Sequence, residues 1–254
     1  MRKSITIAAM VFLLVGLPTA HSQSKLSEIE IPNKLGFGLS IYNQEQPYQI
    51  KSLELGVPGL DGPALENLPV ENRTVSTHVR IDYWLLPFLN VFGLMGQIDS
   101  TTEVNLRGFD IGLPTGLDNL SIDIDGTVYG AGLVLAVGGK SWFGAVAYDY
   151  TTTDLDVATS TIEAQIVTPK VGLHFDGGAV WIGAMYQDVE ETHEGTYDLP
   201  FLGEVPYKVV LEGQEPWNYM IGGVAGLSEH FVLILQGGFG SRKSALVTLE
   251  YRIF

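Results

Sequence analysis

The sequence predicts an all-β fold: a closed, antiparallel, up-and-down transmembrane β-barrel of about ten strands (roughly eight to twelve). Three observations carry this. Apolar and polar residues alternate with a period of two from Gly36 to the C-terminus, and successive strand side chains point to opposite faces. After the first twenty-two residues no apolar run is long enough to span a bilayer as a helix, and almost no amphipathic helix intervenes to cover the strands. The connections alternate between long polar loops and tight turns, and a closed barrel leaves no unpaired sheet edge, as hydrocarbon requires.

The N-terminus is basic at Arg2 and Lys3, apolar from Ile5 to Leu17, and small at Ala20 and Ser22. That is the pattern of a cleavable secretory signal over 1–22, too short for a membrane anchor. Residues 23–35, with Pro32, read as a polar, periplasmic N-terminal tail, and 36–254 as the barrel. The chain has no cysteine, so neither disulfides nor thiolate metal sites enter. Its net charge is -15, yet 46% of residues are hydrophobic and 17% charged. An acidic balance argues against a nucleic-acid partner, which needs a basic footprint. The wealth of aromatic and β-branched residues argues against disorder.

The first strand alternates Phe37, Leu39 and Ile41 against Gly38, Ser40 and Tyr42. A Pro-rich stretch, 44–73, reads as a loop with a strand extension around Gln49–Leu55. Next, Val75, Thr77, Val79, Ile81 and Tyr83 oppose Ser76, His78, Arg80, Asp82 and Trp84. After the turn at 85–87, Phe92, Leu94, Gly96 and Ile98 are expected to oppose an inward set with Gln97 and Asp99. Beyond a loop at 107–121, Tyr129, Ala131, Leu133, Leu135 and Val137 face outward, and Asp125-Gly126 is expected to shift the parity as a bulge. Trp142, Val146, Tyr148 and Tyr150 follow, outward, against Asp149. In the strand from Ser160, Glu163 is expected inside, with a register shift near Pro169 that brings Lys170 inside too. Val180, Ile182, Ala184 and Tyr186 form the next outer face. An acidic loop is expected over 192–206 and one strand over Tyr207–Leu227. The final hairpin, turning at 241–244, places Phe231, Leu233, Leu235 and Phe239, then Ala245, Val247, Leu249, Tyr251 and Ile253, on one apolar face.

On these residues the chain resembles bacterial outer-membrane β-barrel proteins, over 36–254. The last strand looks like the assembly signal of that class, with Tyr251 and the terminal Phe254 as its aromatics, although Tyr251 stands three places before Phe254 rather than two. The resemblance implies a location in the bacterial outer membrane. It also implies contact with the bilayer and lipopolysaccharide, and docking with the outer-membrane assembly machinery.

The interior is expected to hold His78, Arg80, Asp82, Asp99, Asp149, Glu163, Lys170, Glu250 and Arg252. Charges of both signs in a narrow barrel read as a paired plug, or as a constriction that selects small solutes. The expected role is structural, adhesive or narrow-pore transport. The alternative is a hydrolase at the outer rim, for which His193, among the acids from Asp188 to Glu194, is the one histidine on the long-loop side. No Gly-x-Ser-x-Gly or metal-protease histidine pair is present, so no catalytic residue, cofactor or resident metal is assigned. The acidic loops are candidates for divalent cations bridging to lipopolysaccharide phosphates. Trp142, Tyr148, Tyr150, Tyr186, Trp217 and Tyr219 read as an interfacial aromatic girdle.

Overall fold

A computed structural model describes residues 34–56, 68–105, 119–156, 161–199 and 203–253. The expected segments 1–22 and most of 23–35, and Phe254, lie outside them. Among the described residues there are eleven strands: β1 (Leu35–Leu55), β2 (Val70–Leu86), β3 (Leu89–Asn105), β4 (Asn119–Gly138), β5 (Trp142–Leu155), β6 (Thr161–Phe175), β7 (Gly178–Leu199), β8 (Gly203–Gly213), β9 (Trp217–Gly226), β10 (Phe231–Phe239) and β11 (Lys243–Ile253). All pairings are antiparallel, and the sheet closes on itself by two routes.

At the short-turn end the ring is β1 through β7, then β9, β10 and β11, with β11 returning to β1 from Leu35↔Ile253 to Glu45↔Lys243. That is the expected ten-strand barrel. At the long-loop end β8 takes the place of three strands. It pairs with the far half of β7, from Glu190↔Glu212 to Leu199↔Gly203, and with the far half of β1, from Tyr48↔Gly213 to Leu55↔Tyr207. The barrel therefore narrows from ten strands to eight. The reason is length. β9, β10 and β11 have 10, 9 and 11 residues, while β1 and β7 have 21 and 22. Three short strands cannot reach the far rim, so the chain doubles back as β8 to close the opening above them.

This corrects the expected loop at 192–206, which is a hairpin between β7 and β8, and the expected single strand at 207–227, which breaks at Gly213 into two strands serving different rings. Turn chemistry supports the breaks. Gly177 (φ 85°) stands in the β6–β7 turn and Gly203 (φ 76°) follows the β7–β8 turn, a backbone region L side chains seldom adopt.

Outside the ten-strand part the wall is apolar. Leu39, Ile41, Val79, Ile81, Met95, Leu135, Ile182, Ile221 and Leu249 are all exposed large hydrophobics. Around the narrow end the pattern inverts while the parity does not. On β2, Val79 and Ile81 point out with His78 and Arg80 in, yet farther along Glu71 and Arg73 point out and Val70 is buried. On β4, Tyr129 and Leu135 are outside, and so are Asp123 and Asp125, with Ile124 buried between them. No bulge interrupts β3–β4 at Asp125-Gly126: Ile98↔Gly126 and Asp99↔Asp125 follow in step. What changes there is which face is greasy, not which residues face in.

Candidate functional site: the charged interior

The inner wall of the ten-strand section carries an ion cluster contributed by β1, β2, β3 and β11. Asp82 on β2 is 1% exposed and accepts a hydrogen bond from Asn90 Nδ2 at 2.6 Å. Arg252 on β11 approaches the same carboxylate at 3.3 Å and Glu250 Oε2 at 3.0 Å. Gly36 makes room for this: a Cβ there would lie 2.4 Å from Asp82 Oδ2. Sharing one guanidinium between two carboxylates, with an amide donor added, is how a buried cluster offsets the cost of removing ions from water.

Arg80 extends the cluster. Its Nη2 donates to Asn90 Oδ1 at 3.3 Å, and its guanidinium carbon lies 3.6 Å from the centre of the Phe92 ring, a cation–π contact. Gly132, opposite Phe92 on β4, leaves the space the ring occupies, since a Cβ there would meet the ring at 2.4 Å. Across the lumen, Lys170 on β6 places its ammonium 4.8 Å over the ring of Trp181. Asp149 on β5 stands within electrostatic reach of both Arg80 and Lys170. Charges thus alternate around the interior.

Of the nine interior candidates, His78, Arg80, Asp82, Asp149, Lys170, Glu250 and Arg252 lie on the inner face. Asp99 and Glu163 do not: both are exposed on the outer face. Asp99 pairs with Asp125 across β3–β4, and Glu163 lies between the buried Ile162 and Ala164. They fall in the narrow section, where the outer face carries the charges and the inner face is apolar and buried, so a rule that places charges inside reverses. Phe92, Leu94 and Ile98 also face inward, and the pairings Asp82↔Phe92 and Arg80↔Leu94 set the first two beside the interior charges. The expected parity shift on β6 is absent, and residues 162 to 174 keep even numbers inside. What Pro169 does is interrupt the ladder: β6 and β7 pair at Val167↔Tyr186 and again at Lys170↔Gly183, with no pair between.

Above the ion cluster the narrow end is filled. Tyr48, Ile50, Val70, Asn72, Thr102, Val104, Ile124, Ile162, Val189 and Leu211 are all buried, Asn72 completely. Asn72 donates to Ser100 and Thr102 and accepts from Thr74. Eight strands enclose about the room that side chains fill. At the junction of the two sections Tyr48 donates to Glu191 Oε1 at 2.6 Å. Burial, and then the Glu191 carboxylate, push the Tyr48 hydroxyl well above the ordinary tyrosine range, so it stays protonated as a donor. Arg242, in the turn between β10 and β11, is 2% exposed, donating from Nε to Gln46 Oε1 at 2.8 Å and from Nη1 to Met185 Sδ at 3.2 Å. It ties the tip of the short hairpin to β1 and β7 beneath β8.

Asn90, Tyr48, Glu191 and Arg242 were not legible as site residues, because their partners are supplied by register and by the second closure. Tyr251 faces outward with its ring 5.1 Å from that of Phe231. Among the described residues no hydrogen bond joins a histidine ring to a serine or a carboxylate, and no group of three or more His, Asp or Glu could hold a metal ion. His193 sits on β7 opposite Val209, with its side chain outside those described.

No protein-family model matches the chain, and no curated protein sequence does. Among solved structures, the outer membrane protein OprG from Pseudomonas aeruginosa overlaps with a TM-score of 0.44 at 12% identity, over 87% of this chain and 98% of that one. The transport unit of the autotransporter AIDA-I from Escherichia coli gives 0.43 at 8% identity, over 90% and 93%. The toluene transporter TodX from Pseudomonas putida gives 0.36 at 8% identity, over 86% and 88%. Overlaps at this level assign no activity, ligand or partner to this chain.

Proposed function

We propose that the protein is an integral barrel of the bacterial outer membrane, closed along its axis, with a structural role in the envelope. In this reading the apolar belt of the ten-strand section lies in hydrocarbon. The short turns face the periplasm, and the eight-strand section stands above the outer leaflet. The interior ions hold the strands in register, and the C-terminal strand, with Tyr251 and Phe254, serves docking with the assembly machinery. The acidic outer face lies at the level of lipopolysaccharide phosphates, where divalent cations would bridge the two.

One observation carries the closed reading: the eight-strand section is packed with buried side chains from Tyr48 to Leu211, so a solute in the charged lumen meets a dry core rather than an exit. Single-channel recording in planar bilayers tests it. The expected result is no resolved conductance steps from the native chain. Steady unitary conductance would establish instead the narrow-pore reading, which draws support from the alternating ring of Arg80, Asp149 and Lys170. In that case Lys170→Glu should change the anion–cation preference of the conductance.

A further inference from the structure

The lipid-facing wall is not uniformly convex. On the arc from β4 to β10 lies a furrow of about 930 Å³. One of its banks carries Leu135, Val146 and Tyr219, and the other Val137, Val171 and Ile182. Each bank drops where the outward residue is small or cyclic. Gly144 lies beside Val137 on β5, and Pro169 and Ala184 stand where β6 and β7 lose their ladder pairing. The floor there is backbone. A Cβ built on Gly144 meets nothing nearer than Val137 Cγ2 at 3.9 Å, so the depression is open and not filled by a neighbour.

Resting on the membrane reading above, we propose that this furrow is a binding site for one acyl chain of a bilayer lipid, held longer than the chains around the rest of the belt. Three features select that occupant. The furrow opens on the exposed apolar wall, with the inward residues Ala145, Lys170 and Met220 beneath it, and in the membrane reading hydrocarbon is the solvent on that side. It crosses six strands, about 24 Å at ~4.8 Å per strand, a run along which one extended acyl chain can lie. A chain in a concave seat touches protein on its sides as well as beneath, and dispersion contacts add with each neighbouring atom. Small residues permit that approach, as they do between membrane helices. The far end is marked by the rings of Tyr219 and Phe239, 6.2 Å apart, of the kind that sits at a membrane interface.

The test is electron paramagnetic resonance of the full chain in phosphatidylcholine bilayers carrying a phosphatidylcholine spin-labelled near the end of one acyl chain. Gly144→Leu with Ala184→Leu fills the furrow from the lipid side, Ala184→Phe alone fills half of it, and Met95→Leu alters the convex wall as a control. The native chain and M95L should show a motionally restricted population larger by about one chain per barrel than the double variant. A184F should fall between them. Equal restricted populations in the native and double-variant barrels, with heat-modifiable gel mobility showing that both inserted, would overturn the furrow alone. A native chain that does not enter bilayers as a heat-modifiable barrel would overturn the membrane reading and the furrow with it.

Discussion

The two ends of this barrel share seven strands and obey opposite rules. In the ten-strand section the outside is apolar and the inside holds Arg80, Asp82, Lys170, Glu250 and Arg252. In the eight-strand section the outside holds Asp99, Asp123, Asp125 and Glu163, and the inside holds Val70, Ile124, Ile162 and Leu211. A strand such as β4 passes from one regime to the other without slipping register. In the membrane reading, what lies outside the wall decides which face is greasy. The ring size decides whether the inside can be packed dry: eight strands leave room for side chains only, while ten leave a lumen that polar groups must line.

The sharpest way to break the comparison is to unbalance the wide section. Arg252→Ala strips Asp82 and Glu250 of their shared guanidinium and should destabilise the barrel by about 3–5 kcal/mol, the cost of leaving a buried charge without its partner, read as a shift in urea unfolding followed by tryptophan fluorescence. Replacing Asp82 by Asn in the same chain should recover part of the loss. If the single variant unfolds with the native midpoint, the ion cluster is not what holds β11 to β1 and β2. Leu211→Ala attacks the narrow section instead, and should cost about 3 kcal/mol as a core truncation, measured in the same titration. A loss below about 0.5 kcal/mol would mean that this interior is not packed as a core.

The two exteriors can be set against each other with one kind of substitution. Val79→Lys puts a charge on the apolar belt and should cost about 2–4 kcal/mol near the bilayer midplane. Thr101→Lys, on the outer face of the narrow section, should change stability by no more than about 0.5 kcal/mol. Comparable losses at both positions would erase the distinction between a lipid-facing and a water-facing wall.

The smallest effect concerns Asp99 and Asp125. The side-chain hydrogen bond with Asp99, more than desolvation, raises the Asp125 carboxyl above its ordinary value. A raised folded-state value stabilises below the unfolded carboxyl range, and that contribution is lost as pH rises through the folded value. Asp99→Asn should therefore gain stability relative to the native chain on going from acid to neutral pH. Unfolding midpoints at the two pH values check it, and a difference that does not change with pH would show that the carboxyls do not share a proton.

Much of the wide section was legible in the amino-acid order. The outward faces of β1 and β2 follow from alternation alone, because the outward residues there are mostly apolar and the intervening ones mostly polar or small, and those of β5, β9, β10 and β11 follow nearly as well despite apolar inward residues such as Phe143, Met220, Ile234 and Leu246. β3 was not, since Val91, Phe92, Leu94 and Met95 put grease on both faces and periodicity has no preference between them. Pairing decides it: Asp82↔Phe92 and Arg80↔Leu94 place Phe92 and Leu94 with the charges. β8 was hidden inside what read as one loop and one strand, because nothing local marks a segment as belonging to a second, smaller ring.

The sequence by itself determined that strands build the wall, that most of them turn an apolar face outward, and that ions are enclosed, since those facts rest on a period of two and on charge. Only the tertiary structure decided that the barrel narrows from ten strands to eight, and hence that Asp99 and Glu163 are exposed on the outer face and that the far end is filled. Those outcomes depend on which distant strands meet: three short ones leave β1 and β7 to be bridged by β8, and that closure is a property of the ring as a whole, not of any stretch within it.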